Sequence, residues 1–309
     1  MVHDRINKLF ETDFVVPESW QQGVAYEQNP YPSILVDITA RCNMRCNFCY
    51  YTDRTVPDMS LAQFERFCGS LPEPVLIKLA GGEPTLHPQL PEFIRIATSW
   101  RHRIYACSNG IRYNDPAFMA SLRPLQQDHI PFGLGLSMDG GTEHAEAYRL
   151  ITGKDCLQDK LKAFQALEAN GHTRVSLTAI IVRGFNEDVI PQLLELAKRH
   201  PKTVGYLHFR NAGRFGAFVD TEPYVMEELK AITARHFTPG EFAPAGVGEV
   251  HCPPESGRTC CYRFRPTRRL QISLIEFASV RSARCPKRGR VILGDERIYP
   301  LFHSIRSEM

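Results

Sequence analysis

Between residues 32 and 210, short runs rich in β-branched and aromatic residues alternate with longer stretches of helical period, and this repeat leaves few architectures open. Six strands are predicted, at Ile34 to Ile38, Val75 to Leu79, Arg103 to Cys107, Phe132 to Ser137, Arg174 to Val182 and Val204 to Arg210. The helix between the first two opens on Ser60 with Gln63 three residues on, a capping-box pair, and sets Leu61, Phe64, Phe67, Cys68 and Leu71 on one face. Further helices are predicted over 90–99, 115–122, 157–169 and 187–200. Strands separated by single helices lie parallel and wind right-handedly. Six such units make either a doubly wound sheet or a partly closed (β/α)6 barrel, and periodicity does not choose between them. The 309 residues, 43% of them hydrophobic, suffice for one large core or two modest ones.

After Arg210 the rhythm stops. One more helix is expected near Glu222 to His236, then a Gly-, Ala- and Pro-rich loop from Pro239 to Gly248. Two alternating runs, Leu270 to Phe277 and Arg290 to Leu301, the second folded about Gly294-Asp295, read as hairpin arms. The chain therefore divides into an N-terminal extension (1–31), a βα body (32–215) and a small C-terminal α+β module (216–309). No apolar run approaches the roughly 20 residues of a membrane span, and Met1 to Lys8 is polar and mixed in charge, unlike a signal peptide. The expectation is a cytoplasmic protein with no membrane partner. Ten cysteines in a reducing compartment are then core filler, catalytic groups or metal ligands, not a disulfide framework.

Their spacing is informative. Directly after the first strand stands Cys42-Asn43-Met44-Arg45-Cys46-Asn47-Phe48-Cys49, a CxxxCxxC loop. Three thiolates on one short loop can each take one iron of a [4Fe-4S] cube and leave the fourth iron open to a small molecule. Structural zinc normally takes four protein ligands, and catalytic zinc three that usually include a His or carboxylate, so this set suits zinc less well. The second strand ends in Gly81-Gly82-Glu83-Pro84 and the third in Ser108-Asn109-Gly110. These are the strand ends where α/β folds place their sites. Paired glycines let a backbone approach a ligand, and a glutamate can take an ammonium group. Cys68, Cys107 and Cys156 read as packing residues.

With these motifs the sequence resembles the radical S-adenosylmethionine (SAM) superfamily over roughly residues 32 to 215. The resemblance extends to Phe48 before the last cysteine and to Ser137-Met138-Asp139-Gly140, with His144 and Arg149 downstream. It implies a partial (β/α)6 TIM-type barrel in which Cys42, Cys46 and Cys49 hold a [4Fe-4S] cluster whose open iron SAM chelates. Carried over position by position, the Gly81, Gly82 and Glu83 turn would hold the SAM ammonium, with Ser108 and Asn109 beside it. Ser137 would approach the ribose or carboxylate, Arg149 would pair with the carboxylate, and Tyr50 would give a backbone contact to adenine. The family chemistry is reductive cleavage of SAM to a 5′-deoxyadenosyl radical, with selectivity supplied by the protein's positioning of substrate. A flavodoxin or ferredoxin is the implied electron donor. On strand six, Tyr206, His208 and Arg210 share one face and are the substrate-side candidates, with Arg183 and Asn186 at the end of strand five.

Cys252, Cys260, Cys261 and Cys285, flanking the hairpin arms, look like the SPASM or shorter twitch modules that carry an auxiliary Fe-S cluster in many family members. Adjacent cysteines diverge as side chains, so one of Cys260 and Cys261 could instead serve as a hydrogen-atom donor. From Arg258 to Arg297 there are eleven Lys or Arg against three acids, an excess of eight in a chain of total charge +3. Such an excess favours an anionic partner. The expected function is hydrogen abstraction from a small metabolite or peptide, leading to oxidation, epimerisation or bond formation. An RNA substrate and a non-catalytic Fe-S or zinc interaction protein are the alternatives.

Overall fold

A computed structural model describes residues 23–47, 49, 54–212, 222–251, 259–276 and 289–300. The first six strands are β1 (Ser33–Thr39), β2 (Leu76–Gly81), β3 (Arg103–Ala106), β4 (Phe132–Ser137), β5 (Val175–Ile181) and β6 (Val204–Asn211). Each pairs in parallel with the next. Helices α1 (Leu61–Ser70), α2 (Leu90–Ser99), α3 (Pro116–Gln127), α4 (Ala145–Thr152), α5 (Leu157–Ala169) and α6 (Val189–Arg199) lie between them. The strand order is sequential, so the sheet is not doubly wound but curls into a half-barrel. The capping box of α1 forms, with Gln63 N–H donating to Ser60 Oγ at 3.2 Å and Ser60 N–H to Gln63 Oε1 at 2.8 Å. Helix α3 runs further than expected, through Pro124, and the short α4 carries no periodic signal long enough to be read in advance.

The C-terminal strands extend the same sheet at both edges. Helix α7 (Met226–Ala234) leads to β7 (Pro244–His251), β8 (Thr259–Phe264), β9 (Gln271–Ile275), β10 (Gly289–Val291) and β11 (Tyr299–Pro300). Strand β9 lies parallel to β6, and β10 lies parallel to β1. Two antiparallel hairpin arms do form, β8 with β9 and β10 with β11, the latter about Gly294 at φ +79°. The loop expected across Pro239 to Gly248 is in its second half the strand β7, at the sheet's edge, where Pro244 as first residue forfeits no needed hydrogen bond. No helix among the described residues is long and apolar enough to cross a membrane.

Alternation gives the sheet two unlike faces. Ile34, Val36, Ile77, Leu79, Ile104, Leu134, Leu136, Leu177, Leu207, Phe209, Ile272 and Leu274 pack in one continuous core on the helix side. The register of paired residues places Asp37, Lys78, Tyr105, Ser137, Thr178, Tyr206, His208, Arg210 and Ser273 together on the inner face. Gly133 and Gly135 of β4 leave room there for the Tyr105 side chain, whose hydroxyl a Cβ on Gly135 would overlap.

At the β1 edge an ion pair ties the end of the chain to its beginning. Arg290 Nε donates to Asp37 Oδ2 at 3.0 Å and Nη2 donates to the same oxygen, with both side chains 0% exposed. Removing one partner of such a pair leaves an uncompensated buried charge, whereas replacing both by apolar groups removes the problem. Arg290→Ala should therefore lower stability by about 3–5 kcal/mol. The joint replacement Asp37→Leu with Arg290→Met should cost far less, both being read by urea denaturation followed by circular dichroism.

Candidate functional site

The ends of β1, β2, β3 and β4 converge. Gly82 N–H donates to Thr39 O and Glu83 N–H to Arg41 O, each at 2.8 Å, so the turn after β2 is hydrogen-bonded directly beneath the start of the cysteine loop. The glycines are required by that approach. A Cβ on Gly81, which sits at φ +108°, would stand 2.3 Å from Thr39 O, and one on Gly82 would stand 2.3 Å from Arg41 O. Their close partner is the backbone that carries the cysteines.

Glu83 is buried, and its carboxylate is held by four donors of the fold. It accepts from Thr85 N–H at 3.2 Å, Thr85 Oγ1 at 2.6 Å, Ser108 Oγ at 2.7 Å and Asn109 N–H at 2.7 Å. Burial pushes its pKa up and these four donors pull it back. Asn109 then reaches the cysteine loop, its Nδ2 donating to Asn43 Oδ1 at 2.8 Å and lying 3.9 Å from Cys42 Sγ. Ser137 N–H donates to Ser108 O at 3.0 Å, which brings in the end of β4.

The three cysteines of the loop are half-buried. Cys42 Sγ accepts from Met44 N–H and Cys49 Sγ from the Arg54 guanidinium, each at 3.4 Å, and Cys49 N–H donates to Cys46 O at 3.1 Å. Asn47 anchors the loop to the end of α4 through the carbonyls of Ile151 and Leu150. Burial pushes the Cys42 thiol up and the Cys46 thiol up to about 12, the latter reinforced by the charge of Asp139 and opposed by that of Lys160. A bound cation offsets this desolvation, and N–H donors aimed at sulfur favour the thiolate. Among the described residues no three Cys, His, Asp or Glu converge on a point where one metal ion could sit. Three thiolates on one loop suit a cube, in which each meets a different iron, better than a zinc ion, which normally takes four protein ligands or three that include a His or carboxylate.

Residues 36–197 match the family model of the radical SAM superfamily. The chain belongs to this superfamily. Its matched segment runs from β1 to α6 and contains the whole constellation above, so the protein is a radical SAM enzyme with a [4Fe-4S] cluster and SAM as cofactors. A GTP 3′,8-cyclase of Chlorobaculum tepidum is 28% identical over 249 residues, 74% of this chain and 72% of that protein. A 7,8-dihydro-6-hydroxymethylpterin dimethyltransferase of Methanocaldococcus jannaschii is 27% identical over 183 residues, 57% of this chain but 35% of that protein. In fold, the chain is similar to Streptococcus suis SuiB bound to the precursor peptide SuiA, with a TM-score of 0.54 at 12% identity over 67% of this chain and 45% of that one.

The remaining expected residues are dispersed. Arg149 of α4 is bonded to Glu146 at 2.6 Å and Asp155 at 3.0 Å on an exposed surface. Tyr206 lies near the start of β6, where Arg174 stacks on its ring and donates to its hydroxyl, and its ring is parallel to that of His208 at 6.5 Å. Arg210 lies at the other end of β6, and its charge acts on Tyr105, Cys107 and Asp139 across the inner face. Arg183 is engaged with Glu228 and Tyr224 instead. Asn186 is buried and staples the ends of β4 and β5 by donating to Asp139 O and Ile180 O, both at 2.8 Å.

Cys107 is half-buried beyond the end of β3, near the charges of Lys78 and Arg210, and not in the core, whereas Cys68 and Cys156 are buried as expected. Cys261 is buried in β8, in register with Ile275 of β9. Tyr50, Cys252 and Cys285 lie outside the described residues, as does the side chain of Cys260. Lys78 and Lys160 were not singled out from the sequence. For Lys160 a signal existed, since it lies on the apolar stripe with Ala163, Phe164 and Leu167.

The fit of the Gly81–Gly82 turn beneath the cysteine loop is testable. Gly82→Ala places a methyl against two carbonyl oxygens, at a cost of about 1–3 kcal/mol that the loop must absorb by moving. The variant should retain its circular dichroism but bind markedly less iron on reconstitution. Gly240→Ala, where a Cβ meets nothing within 4 Å, should bind as much as the wild type.

Proposed function

We propose that the enzyme acts on a small anionic ring compound held on the inner face of the half-barrel. The carrying observation is the placement of Lys78 from β2 and His208 and Arg210 from β6 on that one face, below the strand ends that hold the cysteine loop. The rings of Tyr206 and His208 stack in parallel on the same face. Two relatives are named for GTP and for a pterin, which supports a substrate of that size and kind. A peptide substrate has support only from the likeness in fold to SuiB.

In this reading Cys42, Cys46 and Cys49 hold the cluster, while the Gly81–Glu83 turn, Ser108, Asn109, Ser137 and Tyr50 surround SAM, and Arg149 joins them on leaving Glu146 and Asp155. When bound, the reduced cluster and SAM together supply the 5′-deoxyadenosyl radical that abstracts a substrate hydrogen. The chain's own contribution is orientation: the inner face fixes which C–H bond lies nearest, and the packed strand ends exclude water. A flavodoxin or ferredoxin supplies the electron. Cys252, Cys260, Cys261 and Cys285 are proposed ligands of a second Fe-S cluster, with one of Cys260 and Cys261 left as a hydrogen-atom donor if the ligand set is smaller. The exposed Arg265, Arg268 and Arg269 of the β8–β9 turn give the RNA reading its one observation.

Anaerobic reconstitution tests the metal content: about four irons per chain mean one cluster, and about eight mean two. Formation of 5′-deoxyadenosine is then followed on adding GTP, a dihydropterin, a peptide mixture or RNA. Stimulation by the small anions, with Arg210→Ala raising the KM roughly tenfold or more at unchanged iron content, is the expected outcome. Stimulation by peptide alone would overturn the proposed substrate class. So would stimulation by RNA alone with a steep salt dependence.

A further inference from the structure

Lys160 of α5 is 0% exposed, although lysine is almost never fully buried unless paired. Its Nζ donates to the carbonyl oxygen of Asn109 at 2.5 Å and lies 5.8 Å from the centre of the Tyr148 ring. Tyr148 is itself fixed, its hydroxyl donating to Gly141 O at 2.8 Å. The lysine thus stands where the turn after β3, the turn after β4 and the cysteine loop meet. The charged and titratable groups around it are Asp139, Cys46 and Cys156, each of which feels its charge.

Asp139 is the obvious counter-charge, but it is not in contact. No ion pair within 4.0 Å joins the two among the described residues, and Asp139 Oδ1 is taken by the N–H of Ile180 at 2.9 Å. The direct acceptor of Lys160 is a neutral carbonyl. A buried cation costs several kcal/mol unless charge nearby compensates it; Asp139 supplies part of that charge at longer range, and the residue that Lys160 holds, Asn109, has its Nδ2 3.9 Å from Cys42 Sγ, which sets the lysine one residue away from the cysteine loop. A cube held by three thiolates is net negative, and reduction by one electron makes it more so.

We propose that Lys160 is a built-in counter-charge for the cluster, raising its reduction potential while holding the Asn109 turn against the cysteine loop. The role is electrostatic and positional: Lys160 touches a backbone carbonyl, not substrate. It rests on the cluster being bound at Cys42, Cys46 and Cys49 and is independent of which substrate the enzyme takes.

The test is a redox titration of the reconstituted full chain, followed by electron paramagnetic resonance, without substrate. Lys160→Met keeps the length of the side chain and removes its charge. It should lower the equilibrium constant for cluster reduction about tenfold, equivalent to about 59 mV for a one-electron couple, at the iron content of the wild type. Lys160→Arg should stay near the wild-type potential. An unchanged potential in Lys160→Met, or an equal fall in Lys160→Arg, overturns the proposal. Should Lys160→Met fail to hold iron, Lys160→Gln decides: it keeps a donor for the Asn109 carbonyl and removes the charge, and a wild-type potential there overturns the proposal equally. A wild-type chain that binds no iron would instead count against the cluster itself.

Discussion

The backbone contact between the Gly81–Gly82 turn and residues 39–41 is the constraint on which the site depends. Two 2.8 Å hydrogen bonds fix the loop to the end of β2, and the absence of two Cβ atoms is what lets the chains come that close. From this contact the order spreads sideways. Glu83 follows the two glycines and binds Ser108 and Asn109 of the next strand end, and Ser137 of the fourth binds Ser108 in turn. Four strand ends and the cysteine loop are therefore coupled through one buried carboxylate and a few peptide groups. A cluster binding there meets a loop already anchored at its start and at Asn47, so less ordering entropy is left to lose.

Much of this was legible in advance because the βα repeat and the motifs at strand ends are local signals. Ser60 and Gln63 marked the start of α1, and the paired glycines marked a close approach. The sequence marks the close approach without saying that the protein's own cysteine loop is one of the partners. The four donors on Glu83 were out of view in the same way, because two of them lie 25 and 26 residues away.

Other features were illegible because they depend on contacts distant in sequence. Asp37 and Arg290 are 253 residues apart, and neither lies in a pattern that predicts burial of charge. Strand β7 was hidden by a composition of Gly, Ala and Pro that suits a loop and also suits an edge strand. Cys107, read as packing, lies just beyond the last residue of β3, where a one-residue step moves a side chain from the core to the inner face. Lys160 interrupts an apolar stripe, and such interruptions are informative where the interrupting residue is charged.

The C-terminal strands bear on how such an enzyme limits its own reactivity. A radical of this class attacks most C–H bonds within reach, so the walls around the substrate matter as much as the groups that bind it. Six βα units make only an open trough. Strand β9 continues the inner face beyond β6 and adds Ser273 beside His208, while β10 continues it beyond β1 and is secured by Arg290 inside the fold. The segment that follows the repeat thus widens the trough at both edges and brings its own polar side chains to the face that carries Lys78, His208 and Arg210.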